Sequence, residues 1–128
     1  MVGEYTLTEN DLLSLARFDD AIATCNYSID IHSPDGTGTR CDLFKQGEWY
    51  EIPYRCLIPK KTKNLLVAGR CISSTHEAQS SYRIMACCSQ LGQAAGNAVC
   101  IAMENNSDVR DIDINKLQTI LRKNGFEI

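Results

Sequence analysis

The sequence lacks the features that would assign it to a membrane, secretory or nucleic-acid-binding class. No apolar run approaches the roughly 18 to 20 residues of a membrane span, and residues 1–8 have neither the basic flank nor the apolar centre of a signal peptide. The net charge is −3, and the basic residues are dispersed apart from those in residues 60–63. The chain therefore lacks the clustered positive charge that binds nucleic acid. We expect neither membrane nor nucleic-acid partners and a cytoplasmic location as written, while a longer parent could carry an export signal upstream.

The spacing of the seven cysteines matches neither a zinc site nor a dithiol redox motif. The sequence has no C-x-x-C pair, and its two histidines are not clustered, so we predict no metal site. Cys87 and Cys88 are adjacent on a predicted helix, so their side chains point about 100° apart and are poorly placed to coordinate one metal ion. We expect most of the thiols to be small core residues in a reducing compartment.

The length and composition favour one folding unit. A chain of 128 residues with 44% hydrophobic content can bury one modest core. It contains no internal repeat, low-complexity tract or linker-like segment. We therefore treat residues 1–128 as a single compact unit.

The amino-terminal half predicts one helix followed by strands. Thr8 and Asp11 form a helix-capping pattern before an apolar face, which predicts a short helix over residues 9–17. Residues 18–23 either extend that helix or form a separate turn. Residues 27–32 alternate apolar and polar side chains as a half-buried strand does.

Turn and strand signals continue through the middle of the chain. Residues 33–38 carry dense turn chemistry and predict a loop or hairpin end. Residues 49–58 are strand-like, and Pro53 indicates an edge position or a bulge. Residues 65–68 form a continuous apolar run that suits a strand covered on both faces.

The last third predicts two helices. Residues 82–104 favour a long helix that contains several glycines and alanines, which normally requires another backbone or a ligand packed closely against it. Asp113 can cap a final helix that stops at Gly125. Its apolar stripe consists of Ile114, Leu117, Ile120 and Leu121. The predicted fold is mixed α+β, with a short amino-terminal helix, a small sheet of about three strands, a long small-residue helix and a carboxy-terminal amphipathic helix.

Two segments together read as half of a dinucleotide site. Residues 64–70 and 92–98 suggest a buried strand, a tight loop and a small-residue helix. The other half would be a G-x-G-x-x-G fingerprint between a strand and a helix, and the sequence contains none.

Five segments occur in a fixed order and carry a family resemblance. They are EIPYRCLIPK at 51–60, NLLVAGRCIS at 64–73, THEA at 75–78, RIM at 83–85 and GQAAG at 92–96. This succession resembles the carboxy-terminal segment of bacterial FAD-dependent oxidoreductases of the glutathione-reductase-like flavoprotein class. By this resemblance, residues 1–58 correspond to the end of a second, substrate domain and residues 59–128 to the closing part of a partial FAD-binding domain.

The resemblance implies a set of cofactor neighbours. It places Gly69 and Arg70 against the flavin and the loop with Cys71 and Ser73 near the isoalloxazine ring. Arg83 would pair with ring or substrate oxygens. The helix would approach closely at Gly92 and Gln93 and aim its amino-terminal dipole at the ring.

Each of these residues also has an ordinary structural interpretation. His76 is a candidate general acid or base, or a hydrogen-bonded surface residue. Arg70 and Arg83 either serve the cofactor or pair with acidic neighbours such as Glu77 or Glu51. The GQAAG stretch is either a cofactor approach or a helix-packing surface. Near a flavin, Cys71, Cys87 and Cys88 could be redox thiols, with buried inert thiols as the alternative. His32 is more readily a structural or substrate-facing residue than a metal ligand.

The resemblance leads to one functional hypothesis and one alternative. The first is a fragment of a FAD-dependent oxidoreductase that contributes the ring-proximal loop and helix, is inactive alone and binds FAD weakly or not at all. Its partners would be the missing amino-terminal flavoprotein portion and a small organic substrate. The alternative is a non-catalytic structural or protein-interaction module that self-associates as a homo-oligomer through exposed strand edges.

Overall fold

The computed structural model describes residues 1–32, 35–36 and 38–128. Over these residues the chain has four α-helices, one short 3-10 helix and two antiparallel two-stranded sheets. The predicted mixed α+β fold is confirmed, with two separate sheets in place of one sheet of about three strands. In chain order the elements are α1 Glu9–Leu13, β1 Ala21–Cys25, β2 Ile29–His32, β3 Thr39–Asp42, β4 Tyr50–Pro53, the 3-10 helix Tyr54–Cys56, α2 His76–Tyr82, α3 Met85–Asn105 and α4 Ile114–Lys123.

Helix α1 begins where the capping pattern predicts it. The Asp11 backbone N–H donates to Thr8 Oγ1 at 3.3 Å, and the Thr8 backbone N–H donates to Asp11 Oδ2 at 2.8 Å. The helix ends at Leu13, earlier than predicted, since Leu15 has a φ of 54°. A residue in the left-handed region cannot continue a right-handed helix.

Strand β1 replaces the helix extension or turn that the sequence suggested for residues 18–23. Four of its five residues are buried, and it pairs antiparallel with β4, with Cys25 opposite Tyr50. A short apolar run does not distinguish helix from strand. Here the residues form a strand because they pair with β4, which is distant in the sequence. The strand predicted over residues 49–58 is confirmed for β4 alone, because the chain turns into the 3-10 helix after Pro53.

The second sheet joins β2 to β3. Strand β2 confirms the alternating pattern of residues 27–32, and its partner β3 had no assignment from sequence. The turn predicted over residues 33–38 lies partly outside the described residues, at Ser33, Pro34 and Thr37.

The strand predicted over residues 65–68 is wrong. The described chain is irregular there, and Leu65 is 44% exposed. One backbone hydrogen bond holds the segment, from Val67 N–H to the Leu57 carbonyl at 2.9 Å. A strand needs a ladder of such bonds, and none of the described strands lies alongside it.

The long helix predicted over residues 82–104 is preceded by a second helix that the sequence did not predict. Helix α3 confirms most of the long helix, but α2 precedes it and is capped by the Thr75 hydroxyl. The two are separated at Ile84, whose backbone is extended with φ −68° and ψ 152°. Helix α3 ends at Asn106 in the left-handed conformation that commonly terminates helices.

The core lies between the β1–β4 sheet and the two long helices. Helix α3 packs on β1, and α4 packs on both α3 and β1. Asp113 caps α4 as predicted, and Gln118 Nε2 donates to the Ala21 carbonyl at 3.1 Å, which joins α4 to β1. Within the described residues, none of the helices combines the length and apolar character needed to cross a bilayer.

Candidate functional site

An open cleft of about 710 Å³ forms where the loop after residues 64–68 meets the break between α2 and α3. We call it the arginine cleft, because it brings together Arg70 and Arg83, two of the residues singled out from the sequence. Its lining residues are Tyr27, Arg70, Gln79, Arg83, Ile84 and Met85.

The Arg70 loop is held by α2 and by one glycine. Gly69 has a φ of 87°, which strains any residue with a side chain. The Arg70 carbonyl accepts hydrogen bonds from Gln79 Nε2 at 3.0 Å and from the Tyr82 hydroxyl at 3.3 Å. Tyr82 is fully buried, and burial raises the pKa of its hydroxyl to about 12. The loop therefore has a defined backbone position at the cleft.

The Arg70 guanidinium is anchored but not neutralised. Its Nε donates to the Arg83 carbonyl at 2.9 Å. Among the described residues, no carboxylate lies within ion-pair distance of it, whereas Arg83 Nη2 lies 3.4 Å from Asp30 Oδ2. The remaining guanidinium nitrogens of Arg70 are thus available to an anionic group in the cleft.

The alternative that the arginines pair with acidic neighbours is confirmed for Arg83, but its partner is Asp30 and neither Glu51 nor Glu77. Glu51 pairs with Arg17 at 3.6 Å, and its carboxylate accepts from the Phe18 backbone N–H at 2.8 Å. The pKa of Glu77 is lowered by a hydrogen bond from its own backbone N–H and by the Thr75 hydroxyl, so this carboxylate serves the start of α2.

A smaller cleft of about 210 Å³ adjoins the first and shares Arg70 and Gln79 with it. It also brings together Cys71 and His76. Cys71 is exposed and its thiol donates to the Ala68 carbonyl at 3.3 Å. His76 is exposed at the start of α2, and in the described part of the chain no hydrogen bond orients its imidazole. A catalytic role for His76 stays a prediction.

Ser73 lies inside the protein instead of on the cleft surface. It is fully buried, its Oγ accepts from the Gly3 backbone N–H at 2.9 Å, and it lies 3.0 Å from Thr6 Oγ1. These bonds join the amino terminus to the loop before α2. Contact between Ser73 and a cofactor stays a prediction.

Gly92 and Gln93 lie on the exposed face of α3, where, in the described part of the chain, they line neither cleft. A Cβ added to Gly92 or Gly96 would meet nothing within 4 Å. Within the described chain the GQAAG stretch packs through Ala94, which is fully buried in the core, and not through its two glycines. We call the exposed face of α3 formed by Gly92, Gln93 and Gly96 the glycine face.

Alanine at Gly92 or at Gly96 is expected to stabilise this chain. Glycine inside a helix costs about 0.5–1 kcal/mol relative to alanine, and no neighbour would be displaced. Urea unfolding of each variant should show that increase in the free energy of unfolding. Gly69→Ala is the matched control and should destabilise the chain, because φ at Gly69 is 87°. A destabilised Gly92→Ala variant would contradict the open glycine face.

Sequence reasoning missed part of the cleft wall. Tyr27, Gln79 and Ile84 line the arginine cleft, and Asp30 pairs with Arg83. The available signal was Thr75, whose hydroxyl accepts from the Ala78 backbone N–H and starts α2. An earlier helix start would have placed Gln79 one turn before Arg83.

Comparison with known proteins gives one match. A family model described as FAD dependent oxidoreductase matches residues 1–121. No curated protein and no solved structure matches the chain. The family match covers both clefts and the glycine face.

Proposed function

Because this chain belongs to the FAD dependent oxidoreductase family, we propose that it forms the flavin-ring-proximal wall of an oxidoreductase. A bound flavin would supply the acceptor for a hydride from a small organic substrate. The observation that carries the proposal is the Arg70 guanidinium, which lines an open cleft without a carboxylate partner among the described residues.

The residues of the arginine cleft fit the edge of a flavin ring. The ring carries carbonyl oxygens, and reduction adds negative charge beside them, which a nearby cation stabilises. Arg70 supplies that cation with its position fixed through Nε, while Arg83 is partly occupied by Asp30. Gly69 presents no side chain, and open space lies where its Cβ would be. Arg70 would therefore hold a ring oxygen or a substrate carboxylate.

The glycine face supports a second protein portion as partner. Gly92 and Gly96 lower the stability of the helix, and a Cβ added at either would meet nothing in the described chain. The backbone of a second protein portion packed closely against them would explain why glycine stands there. The same helix exposes Met85 at 83% and Met103 at 77%. We place there a flavoprotein portion that carries the glycine fingerprint absent from this sequence. Without it, this chain would bind FAD weakly or not at all, be inactive, and self-associate through its exposed apolar side chains.

The size and flavin content of the native protein test this proposal. An antibody raised against the chain should capture from source-cell lysate either a protein several times larger than 14.3 kDa or a complex of that size. The captured material should retain FAD after gel filtration. A 14.3 kDa species without flavin or partner would overturn the proposal and favour a self-associating interaction module.

A further inference from the structure

One carboxylate lies against the arginine cleft without lining it. Asp30 belongs to β2, and its Oδ2 lies 3.4 Å from Nη2 of Arg83, which does line the cleft. The same Nη2 donates to the Asp30 carbonyl at 3.4 Å. The Asp30 side chain is 19% exposed, and salt screens partly buried charges less than fully exposed ones. Asp30 therefore offsets the charge of one of the two cleft arginines.

The two arginines differ in what they leave for a ligand. Arg83 Nη2 is shared between the carboxylate and the carbonyl of Asp30, whereas the Arg70 guanidinium contacts only an uncharged carbonyl among the described residues. The described lining of the cleft contains these two cations and no carboxylate. Two positive charges on the wall and one negative charge beside it leave a net charge of about +1. One carboxylate balances that charge.

Uncharged side chains complete the wall of the cleft. Ile84 and Met85 supply apolar surface, and Met85 is 83% exposed. Tyr27 contributes a hydroxyl, and Gln79 contributes an amide whose Nε2 already donates to the Arg70 carbonyl at 3.0 Å. Apolar walls with a few placed polar groups are typical of small-molecule sites. The lining therefore suits a small molecule with one charged end and an apolar body.

We propose that the arginine cleft binds the single carboxylate of a small organic acid, and that Asp30 sets this preference by offsetting the charge of Arg83. The inference rests on the proposed function in taking that acid as the substrate. Arg70 is the binding residue, and Asp30 is a positioning residue that acts through Arg83. A second carboxylate on the ligand would meet an arginine that is already paired and would approach the negative charge of Asp30.

Arg70 can bind a carboxylate beside a flavin ring. A guanidinium has five N–H donors, and the Arg70 side chain uses its Nε–H on the Arg83 carbonyl. The four hydrogens on its terminal nitrogens are enough for a two-point contact with a carboxylate and a further contact with a ring oxygen. A substrate held in this way would lie with its apolar body along Ile84 and Met85.

NMR titration of the intact chain without flavin tests the preference for one carboxylate. Butyrate, succinate and butyramide share a four-carbon chain and carry one, two and no carboxylate groups. The Nε–H signals of Arg70 and Arg83 are followed at low ionic strength. The other Asp30 oxygen lies 3.5 Å from His32 Nε2, so the titration is run at about pH 8, where imidazole is neutral.

Butyrate is expected to shift the Arg70 signal saturably and to bind at least about ten times more tightly than butyramide, which offers no charged acceptor. Succinate should bind no more than about twice as tightly as butyrate, because its second carboxylate finds no free cation. Butyramide that binds as tightly as butyrate would overturn the proposal. So would succinate that binds more than about five times as tightly as butyrate.

Asp30→Asn separates a role in setting the charge from a structural role. The change keeps the shape of the side chain and removes its charge. The ratio of succinate affinity to butyrate affinity should rise about fivefold or more, because Arg83 becomes available to the second carboxylate. Asp30→Glu keeps the charge and should keep the wild-type ratio. A structural role alone would weaken both ligands in Asp30→Asn and leave the ratio unchanged, which would contradict the proposal.

A double variant tests whether Asp30 acts through Arg83. Asp30→Asn combined with Arg83→Gln removes both charges of the pair and restores a net charge of about +1 in the cleft. The affinity ratio should return to the wild-type value. A ratio that stays raised would show that Asp30 acts by another route. If these variants do not fold, the three titrations of the wild-type chain still decide the preference.

Asp42→Asn is the matched control. Asp42 lies on β3 in the same sheet and pairs with Arg40, which does not line the described cleft. The affinity ratio should stay at its wild-type value, and an equal rise would overturn the assignment to Asp30. These titrations fail or succeed independently of the proposed function. A native protein without flavin would leave butyrate binding intact, whereas equal binding of butyrate and butyramide would overturn only the present inference.

Discussion

Arg70→Ala is expected to weaken flavin binding by about 10- to 100-fold in the larger oxidoreductase that we propose contains this chain. A charge-assisted hydrogen bond contributes about 1.5–3 kcal/mol, and Arg70 is the cleft arginine without a carboxylate partner among the described residues. Removal of the cation should also lower the reduction potential of the flavin, because negative charge on the reduced ring loses its stabilising neighbour. Fluorescence titration of the flavin-free protein and a dye-equilibrated redox titration measure the two effects.

Arg122→Ala is the matched control for that experiment. Arg122 Nε donates to the Ile128 carbonyl at 2.9 Å, the same backbone anchoring that Arg70 has, but it lines a different cleft. Flavin affinity and potential should stay unchanged in this variant. Arg70→Lys should lie between the wild type and Arg70→Ala, since an ammonium keeps the charge but not the planar fork. Equal losses in Arg70→Ala and Arg122→Ala would contradict a specific role of Arg70.

Leu91→Ala is expected to lower the free energy of unfolding of the chain by about 2–5 kcal/mol. Leu91 is fully buried on the face of α3 that belongs to the core. The change removes apolar contacts and leaves a cavity between α3 and the β1–β4 sheet. Because a domain of this size has only about 5–15 kcal/mol of stability, the melting temperature should fall by about 10 °C or more. Urea and thermal unfolding followed by circular dichroism measure the loss.

Met103→Ala on the same helix provides the comparison. Met103 is 77% exposed, so its truncation leaves no cavity and should change stability by no more than about 0.5 kcal/mol. A large loss at Met103 in the isolated chain would show that this side chain is covered, for example in a self-associated state. Sedimentation at two protein concentrations would then distinguish the two explanations.

The sequence alone predicted the elements that depend on neighbouring residues. Capping patterns at Thr8 and Asp113 located the starts of α1 and α4, because a side-chain oxygen that satisfies free backbone N–H groups acts within one helical turn. The long helix predicted over residues 82–104 covers most of α3. The motif succession identified a FAD-dependent oxidoreductase, which the family match over residues 1–121 confirms at that level.

Only the tertiary structure revealed the features that depend on contacts between residues distant in the chain. Residues 21–25 became a strand because β4 lies beside them, whereas residues 65–68 remained irregular because none of the described strands does. The arginine cleft likewise joins distant segments of the chain, because Tyr27 lines it beside Arg70 and Arg83. Local sequence patterns reveal backbone propensity and helix capping. Contacts between distant residues depend on how the apolar faces of the elements pack together, and no short stretch of sequence contains that information.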